Sequence, residues 1–291
     1  MSTSDEAVVV WGEVLWDRFP EGDQLGGAPA NVAYHLGQAG GWARLVTRVG
    51  DDELGRRAIA RLSEYVDTSL IQIDSERATG EVGVAIEAGE PRYTLHADRA
   101  WERIACTALV EGALAEAGVL VFGTLAQRRP EGHAGWRAAL AAAGEGCMKV
   151  CDVNVRRLPD LAIGPEVREA IEAAEVVKVN DRELALLGGF AALRSGAQKK
   201  VIAVTHGADG STLYGDGAPI EIRGVHAAPG GDNVGCGDAY LAILVLGMTM
   251  GWDLAQSGAA ASRYAAAVAE ARGATPLFDD ARIAQLLGDG E

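Results

Sequence analysis

Positive charge is scarce in this chain. Its 291 residues carry 26 lysines and arginines against 41 aspartates and glutamates, a formal net charge of −15 at pH 7. Such a surface repels phosphodiester backbones and anionic lipids, which argues against nucleic acid or membrane as a main partner; a local pocket for a phosphate ester stays possible. Aromatic residues are also few, at 5%, which counts against a pocket built on base stacking. The four cysteines, Cys106, Cys147, Cys151 and Cys236, match no zinc-ligand spacing and no disulfide framework, so they read as reduced thiols. No apolar run approaches the ~20 residues of a membrane span. The start "MSTSDEA" is polar and acidic, unlike a secretory leader, and a cytoplasmic protein is expected. The usual nucleotide, zinc and hydrolase signatures are missing as well: there is no G-x-x-x-x-G-K-[ST], no G-x-G-x-x-G after the first strand, no H-E-x-x-H and no G-x-S-x-G.

What the chain does have is 48% hydrophobic residues, ample for one large α/β core. Short β-branched runs alternate with Ala/Leu-rich stretches of helical spacing. "AVVVWGEV", "ARLVTRVG", "GVLVFGT", "MKVCDVNV", "EVVKVN" and "KVIAVTHG" read as strands, "PANVAYHLGQAG" and "DELGRRAIARLSEY" as helices. Near-continuous apolar strands separated by helices predict a mostly parallel sheet covered on both faces. One region breaks the rhythm. From about residue 68 to 103, "SLIQID" and "GEVGVAIEAGEPRYTLHADRAW" alternate with period 2, and "EAGEP" reads as a hairpin turn. This antiparallel patch is either a small lid over the active-site mouth or an edge extension of the main sheet. Ligands of α/β sheets bind beyond the strand C-terminal ends, which favours the lid.

A glycine-rich stretch, "GGDNVGCGDAY" at 230–240, stands directly before the apolar run "LAILVLGM". Glycine lets a backbone approach a ligand closely, and a helix start offers unpaired amides and partial positive charge. An anion site with a carboxylate beside it, or a plain loop capped by Asp238, would each give this pattern.

Taken in order, "GEVLWD", "GGAPANVAYHLGQAG", "GDDELG", "GTLAQR", "DVNVR", "KVNDREL", "THGADG" and "DNVGCGDAY" resemble the loops of the ribokinase-like (PfkB) family of sugar kinases, over roughly residues 8–276. "GTLAQR", "DVNVR" and "EPRYTLHADRAW" look most like bacterial fructokinases. The resemblance implies one α/β kinase domain, a three-layer sandwich with a mostly parallel central sheet and a small β-lid from about 68–103 plus the 12–17 region. It implies ATP-dependent phosphorylation of a sugar hydroxyl, with Mg²⁺ and in some relatives K⁺, and with fructose as the leading acceptor. Ribose, 2-keto-3-deoxygluconate or a nucleoside are the other acceptors, and a sugar-binding regulator without catalysis is the rival from another class. A homodimer through the lid is a further expectation.

Residue by residue, Asp238 matches the family's catalytic base, and Gly235, Cys236 and Gly237 match the anion hole whose amides face the transferring phosphoryl group. The family usually has Ala at the place of Cys236 and Thr at that of Asn233; a thiol beside the phosphate path is expected to be open to oxidation or alkylation. Asp17, Gly26, Gly27 and Asn31 match the sugar residues, with a turn role for Asp17 and a helix-cap role for Asn31 as alternatives. Arg92 or Tyr93, and Trp101, are expected to close over the sugar, Trp101 equally as lid packing. Gln127 and Arg128 would reach its far side. Arg156 would contact sugar or phosphate, or form a surface ion pair. Asn180, Thr205, Gly207 and Gly210 match the ATP site. Glu183 would orient water on Mg²⁺, while Asn180 and Glu183 also have the spacing of a helix cap and its partner. Asp232 matches a potassium ligand, with the Val234 carbonyl beside it. His206 receives no role. "SGAAASRYAAAVAEARGATP" is expected as the final helix, on the adenine side.

Overall fold

The computed structural model describes residues 6–19, 22–87, 90–155, 163–194 and 201–288, with residues 84–87 and 90–93 described by their backbone alone. Strands β1 (Val8–Trp11), β4 (Ala43–Val46), β9 (Val119–Phe122), β10 (Met148–Asp152), β11 (Val176–Asn180) and β12 (Val201–Thr205) run parallel, and β13 (Gly210–Tyr214) and β14 (Ile220–Arg223) continue antiparallel at one edge. The order is β14-β13-β12-β11-β10-β9-β1-β4. Apolar residues fill both faces of these strands because each face meets its own layer of helices. In β1, Val8 and Val10 join one buried cluster and Val9 and Trp11 the other.

The first cluster is roofed by α1 (Ala28–Gln38), α2 (Glu53–Leu62), α8 (Cys236–Thr249), α9 (Leu254–Ala269) and α10 (Asp280–Leu287). The second is covered by α3 (Ala108–Ala115), α4 (Pro130–Ala142), α5 (Pro165–Ala173), α6 (Asp181–Leu186) and α7 (Phe190–Arg194). Helix α8 is apolar around its whole circumference, with residues 238–247 buried, as expected of a helix enclosed by protein on every side. It packs against both α1 and α9. The segment expected as the final helix is therefore α9, and α10 follows it.

A separate four-stranded sheet has the order β3-β2-β7-β8, from β2 (Leu15–Phe19), β3 (Gly22–Gly26), β7 (Gly80–Glu87) and β8 (Glu90–Leu95). It shares no ladder with the main sheet among the described residues, so the edge-extension reading fails. Its boundaries also differ from expectation. "SLIQID" supplies β6 (Gln72–Asp74), which pairs with β5 (Arg48–Gly50) in a two-stranded parallel sheet, so the antiparallel patch starts at Gly80. "ARLVTRVG" is divided between β4 and β5. The "GEVLWD" region contributes only from Leu15, and the chain returns as β3 to close a hairpin. The tip of the "EAGEP" turn, residues 88 and 89, lies outside the described residues.

Candidate active site

The chain leaves β1 toward β4 on one side and later returns to β9 on the other. The loops after β1 and β9 therefore diverge at their C-terminal ends, where α/β sheets bind ligands. The first turn of α1 is seated there: Pro29 packs on Gly12, just after β1, and near Gly123, just after β9. A side chain at Gly12 would strike that ring. Helix α8 starts at Gly235, in left-handed backbone with φ +79°. A Cβ there would lie 2.6 Å from the Ala274 carbonyl oxygen, so glycine is required both by conformation and by space.

The two helix starts are joined by a buried hydrogen bond: Asn31 Nδ2 donates to Asp238 Oδ2 at 2.8 Å. One strand over, Lys178 Nζ donates to both carboxylate oxygens of Asp152, at 2.8 and 3.0 Å. The same ammonium lies under the first turn of α8, 3.2 Å from where a Cβ on Gly237 would stand. Burial alone would push the Lys178 ammonium down, but Asp152, Asp238 and Glu183 outweigh it and hold it above the ordinary lysine range. A fixed cation thus sits among three acids beneath the glycine loop. Burial and Asp152 push the Glu183 carboxyl up, only partly opposed by the amides of Asn180 and Val155 and by Lys178.

Of the residues expected to meet the sugar, Asp17 and Gly26 lie together. The Asp17 carboxylate lies over Gly26, where a Cβ would come within 2.7 Å of Oδ2. Gly27, with φ +103°, packs on the Glu13 carbonyl and precedes α1. Asn31 is not a cap; its amide serves Asp238. Where the nucleotide is expected, Asn180 and Glu183 form a reciprocal capping box at α6: Asn180 Oδ1 accepts from the Glu183 amide and Glu183 Oε2 from the Asn180 amide, both at 3.0 Å. Glu183 Oε1 accepts from the Val155 amide at 2.9 Å, so this carboxylate pins the loop after β10 to that after β11. Thr205 ends β12 beside Asn180, and Gly207 is exposed with φ +63°. Gly210, with φ +109°, is packed against Ile222 and its neighbours, a hairpin requirement in its own right. His206 bridges Asp181 and Thr212.

Asp232 shapes the glycine loop. Oδ1 accepts from the Val234 amide at 2.9 Å and Oδ2 from the Gly273 amide at 3.1 Å. Cys236 departs from expectation: burial, with Asp232 and Asp238 beside it, pushes the thiol up to about 11. The reactive thiolate is therefore disfavoured, and the expected sensitivity to alkylation is not supported.

The remaining expectations fare differently. Trp101 is fully buried beneath Gly80, so it is packing and not a sugar platform. Arg128 pairs with Glu102 at 3.1 Å and lies over the Trp101 ring, which occupies its guanidinium locally. Gln127 is buried and donates to the Gly123 carbonyl at 2.7 Å, at the edge of the crevice. Tyr93 is paired with Val84 in the small sheet, but its side chain and that of Arg92 lie outside the described set, as does Arg156. Lys178 and Asp152 were missed. A lysine in the otherwise apolar strand "VVKVN" was the signal, since buried lysines need a paired acid.

A model of the "pfkB family carbohydrate kinase" matches residues 22–281. A sugar kinase of Pyrococcus horikoshii is 30% identical over 267 residues, covering 88% of this chain and 84% of that protein. Its structure, described as that of an uncharacterized sugar kinase, superposes with a TM-score of 0.84 over 96% of this chain and 97% of that one, and it has also been solved in complex with ATP. The fructokinase of Klebsiella pneumoniae is 28% identical over 260 residues, 82% of this chain and 83% of that one. A fructokinase from Xylella fastidiosa, 19% identical with a TM-score of 0.85 over 97% and 98% of the two chains, shares the fold. With that match spanning most of the sequence, and with a carboxylate, its amide partner and a glycine loop assembled at the sheet's switch point, the chain belongs to the pfkB family of carbohydrate kinases.

Proposed function

We propose that this carbohydrate kinase transfers the γ-phosphoryl group of MgATP to a hydroxyl of fructose, giving fructose 6-phosphate. The observation that carries the reading is the placement of Asp238 in the first turn of α8, fixed through Oδ2 by Asn31 and preceded by the Gly235–Gly237 amides. The sugar hydroxyl donates its hydrogen to Asp238 and attacks the γ-phosphorus in line; Asp238 takes the proton as the new O–P bond forms and the bond to the ADP oxygen breaks. The amides at the start of α8 face the equatorial oxygens as charge spreads over them. Lys178, held by Asp152, keeps a positive charge next to that turn.

Magnesium arrives on the nucleotide. Both Glu183 oxygens are engaged by backbone amides, and no cluster of three or more His, Cys, Asp or Glu able to hold a metal occurs among the described residues. A largely hydrated ion carried by phosphates suits such a donor set. Asp17, above Gly26, is the acceptor for sugar hydroxyls. The small sheet of β2, β3, β7 and β8 is the lid, and it offers the edge for a homodimer. Support for fructose comes from the relatives named fructokinase.

The test is ADP release from MgATP with fructose, mannose, glucose, ribose, tagatose, 2-keto-3-deoxygluconate and adenosine, each with and without potassium. A rate with fructose well above the others is expected. A rate confined to another sugar overturns the substrate and keeps the mechanism. A potassium requirement would assign Asp232 its second role.

A further inference from the structure

Against the small sheet, a cavity of about 450 Å³ opens between β2, β3, helix α2 and residues 272–275. Three arginines line it, Arg57, Arg61 and Arg272, against one acid, Asp23. That acid is already shared, accepting from Arg18 at 2.7 Å and from Arg57 at 3.1 Å. The Arg57 guanidinium is also held over the Trp16 ring, 4.5 Å from its centre. Arg61 is ion-paired with Glu64 at 2.5 Å and steadied by the Tyr34 hydroxyl at 3.1 Å and the Thr275 carbonyl at 3.3 Å. Arg272 is exposed and has no ion-pair or hydrogen-bond partner among the described residues. A chain of net charge −15 thus brings three guanidiniums to one concavity, two with an acid partner and Arg272 with none among the described residues, and their planar forks suit phosphate. Its volume suits a small metabolite.

The floor of this cavity is the reverse side of the catalytic loop. The Gly273 amide donates to Asp232, the Asp232 amide donates to the Ala271 carbonyl at 3.0 Å, and Ala274 packs on Gly235. From the sheet side, Gln24 reaches Gly273, and Gln24 lies opposite Asp17 across the hairpin. Whatever occupies the cavity therefore bears on both the loop that carries Asp238 and the hairpin that carries Asp17.

We propose that this cavity is an effector site for a small phosphorylated metabolite, its phosphate held by Arg57, Arg61 and Arg272, and that occupancy is transmitted through residues 272–275 to the catalytic loop. By linkage, an effector that changes substrate affinity has its own affinity changed by substrate in the same proportion.

The experiment is calorimetric titration of the intact protein with inorganic phosphate, fructose 6-phosphate and ADP, for the wild type, Arg272→Glu and Arg272→Lys. Two of these probes also bind the active site as products, so the diagnostic is a binding event weakened about tenfold or more by Arg272→Glu and largely kept by Arg272→Lys. Both variants should have wild-type melting temperatures without ligand, because Arg272 has no partner to lose. The probe that binds this event most tightly identifies the source of the phosphate. Isotherms of Arg272→Glu identical to wild type for all three probes would overturn the site, whatever sugar the enzyme accepts. In parallel, turnover at saturating substrates should shift with the bound probe in wild type and not in Arg272→Glu. Binding without that shift overturns the transmission.

Discussion

Replacing Lys178 by methionine isolates the buried charge network. The two side chains have similar length, so the perturbation is chiefly electrostatic. Lys178 and Asp152 expose only 7% and 4% of their side chains, and two hydrogen bonds join them. Removing the ammonium leaves Asp152 buried and unpaired, close to Glu183 and Asp238. Breaking a buried pair from one side costs about 3–5 kcal/mol, which for a chain of this size lowers the melting temperature by roughly 10 °C. Adding Asp152→Asn in the Lys178→Met background removes the stranded charge, and most of that loss should return. The folded lysine value is raised above the unfolded one. Its contribution is therefore fully present below the unfolded value and disappears only as pH rises through the higher folded value. The deficit should be equal at pH 6 and pH 9. Urea unfolding of the wild type, both single variants and the double variant gives the cycle. A Lys178→Met protein within about 1 kcal/mol of wild type, or a double variant as unstable as the single, would refute the network.

Asp238→Asn should lower kcat by about 10²–10⁴-fold while sugar affinity, read by calorimetry, stays within a few-fold; comparable turnover would remove Asp238 as the base. Gly235→Ala should destabilise the loop by about 1–3 kcal/mol, since φ +79° and the Ala274 carbonyl both oppose a side chain; unchanged urea midpoint and kcat would contradict this. His35, fully buried with Nε2 donating to the Ala274 carbonyl at 2.8 Å, is pushed down by burial to about 4. Stability should therefore fall as pH drops from the unfolded histidine value toward 4, by about 2 kcal/mol between pH 7 and pH 5, and His35→Gln should lack that component. Alkylation of Cys236 by iodoacetamide at pH 7.5 should run roughly tenfold or more below that of an unperturbed thiol, as peptide mapping would show.

The parallel sheet was legible because each of its strands is buried on both faces, which writes an uninterrupted apolar run into "VVVW" and "VLVF". The placement of Asp238 and Gly235 at a helix start was legible because glycines and a carboxylate directly before a long apolar run leave a local pattern. The partner of Asp238 was not, since Asn31 lies 207 positions earlier and only the sheet order brings the two together. Lys178 was hidden because pairing with Asp152 lets a lysine stand where a valine would, and Asp152 itself sits on another strand. Trp101 stayed open between sugar contact and lid packing, because nothing local separates an aromatic at a sugar from one beneath Gly80. Strand β3, "GDQLG", has no β-forming composition and exists because Leu15–Phe19 pairs with it.

The bond between Asn31 and Asp238 also bears on biosynthesis. The first turn of α1 emerges from the ribosome early, whereas the carboxylate it grips emerges only after most of the sheet. Such distant pairings close late in folding, because the intervening loop entropy must be offset first. A nascent or truncated chain ending before α8 would lack both Asp238 and the central helix of its core, so Asn31 would be without the carboxylate it serves. The two helix starts at the sheet's crevice are thus joined only as the fold is completed.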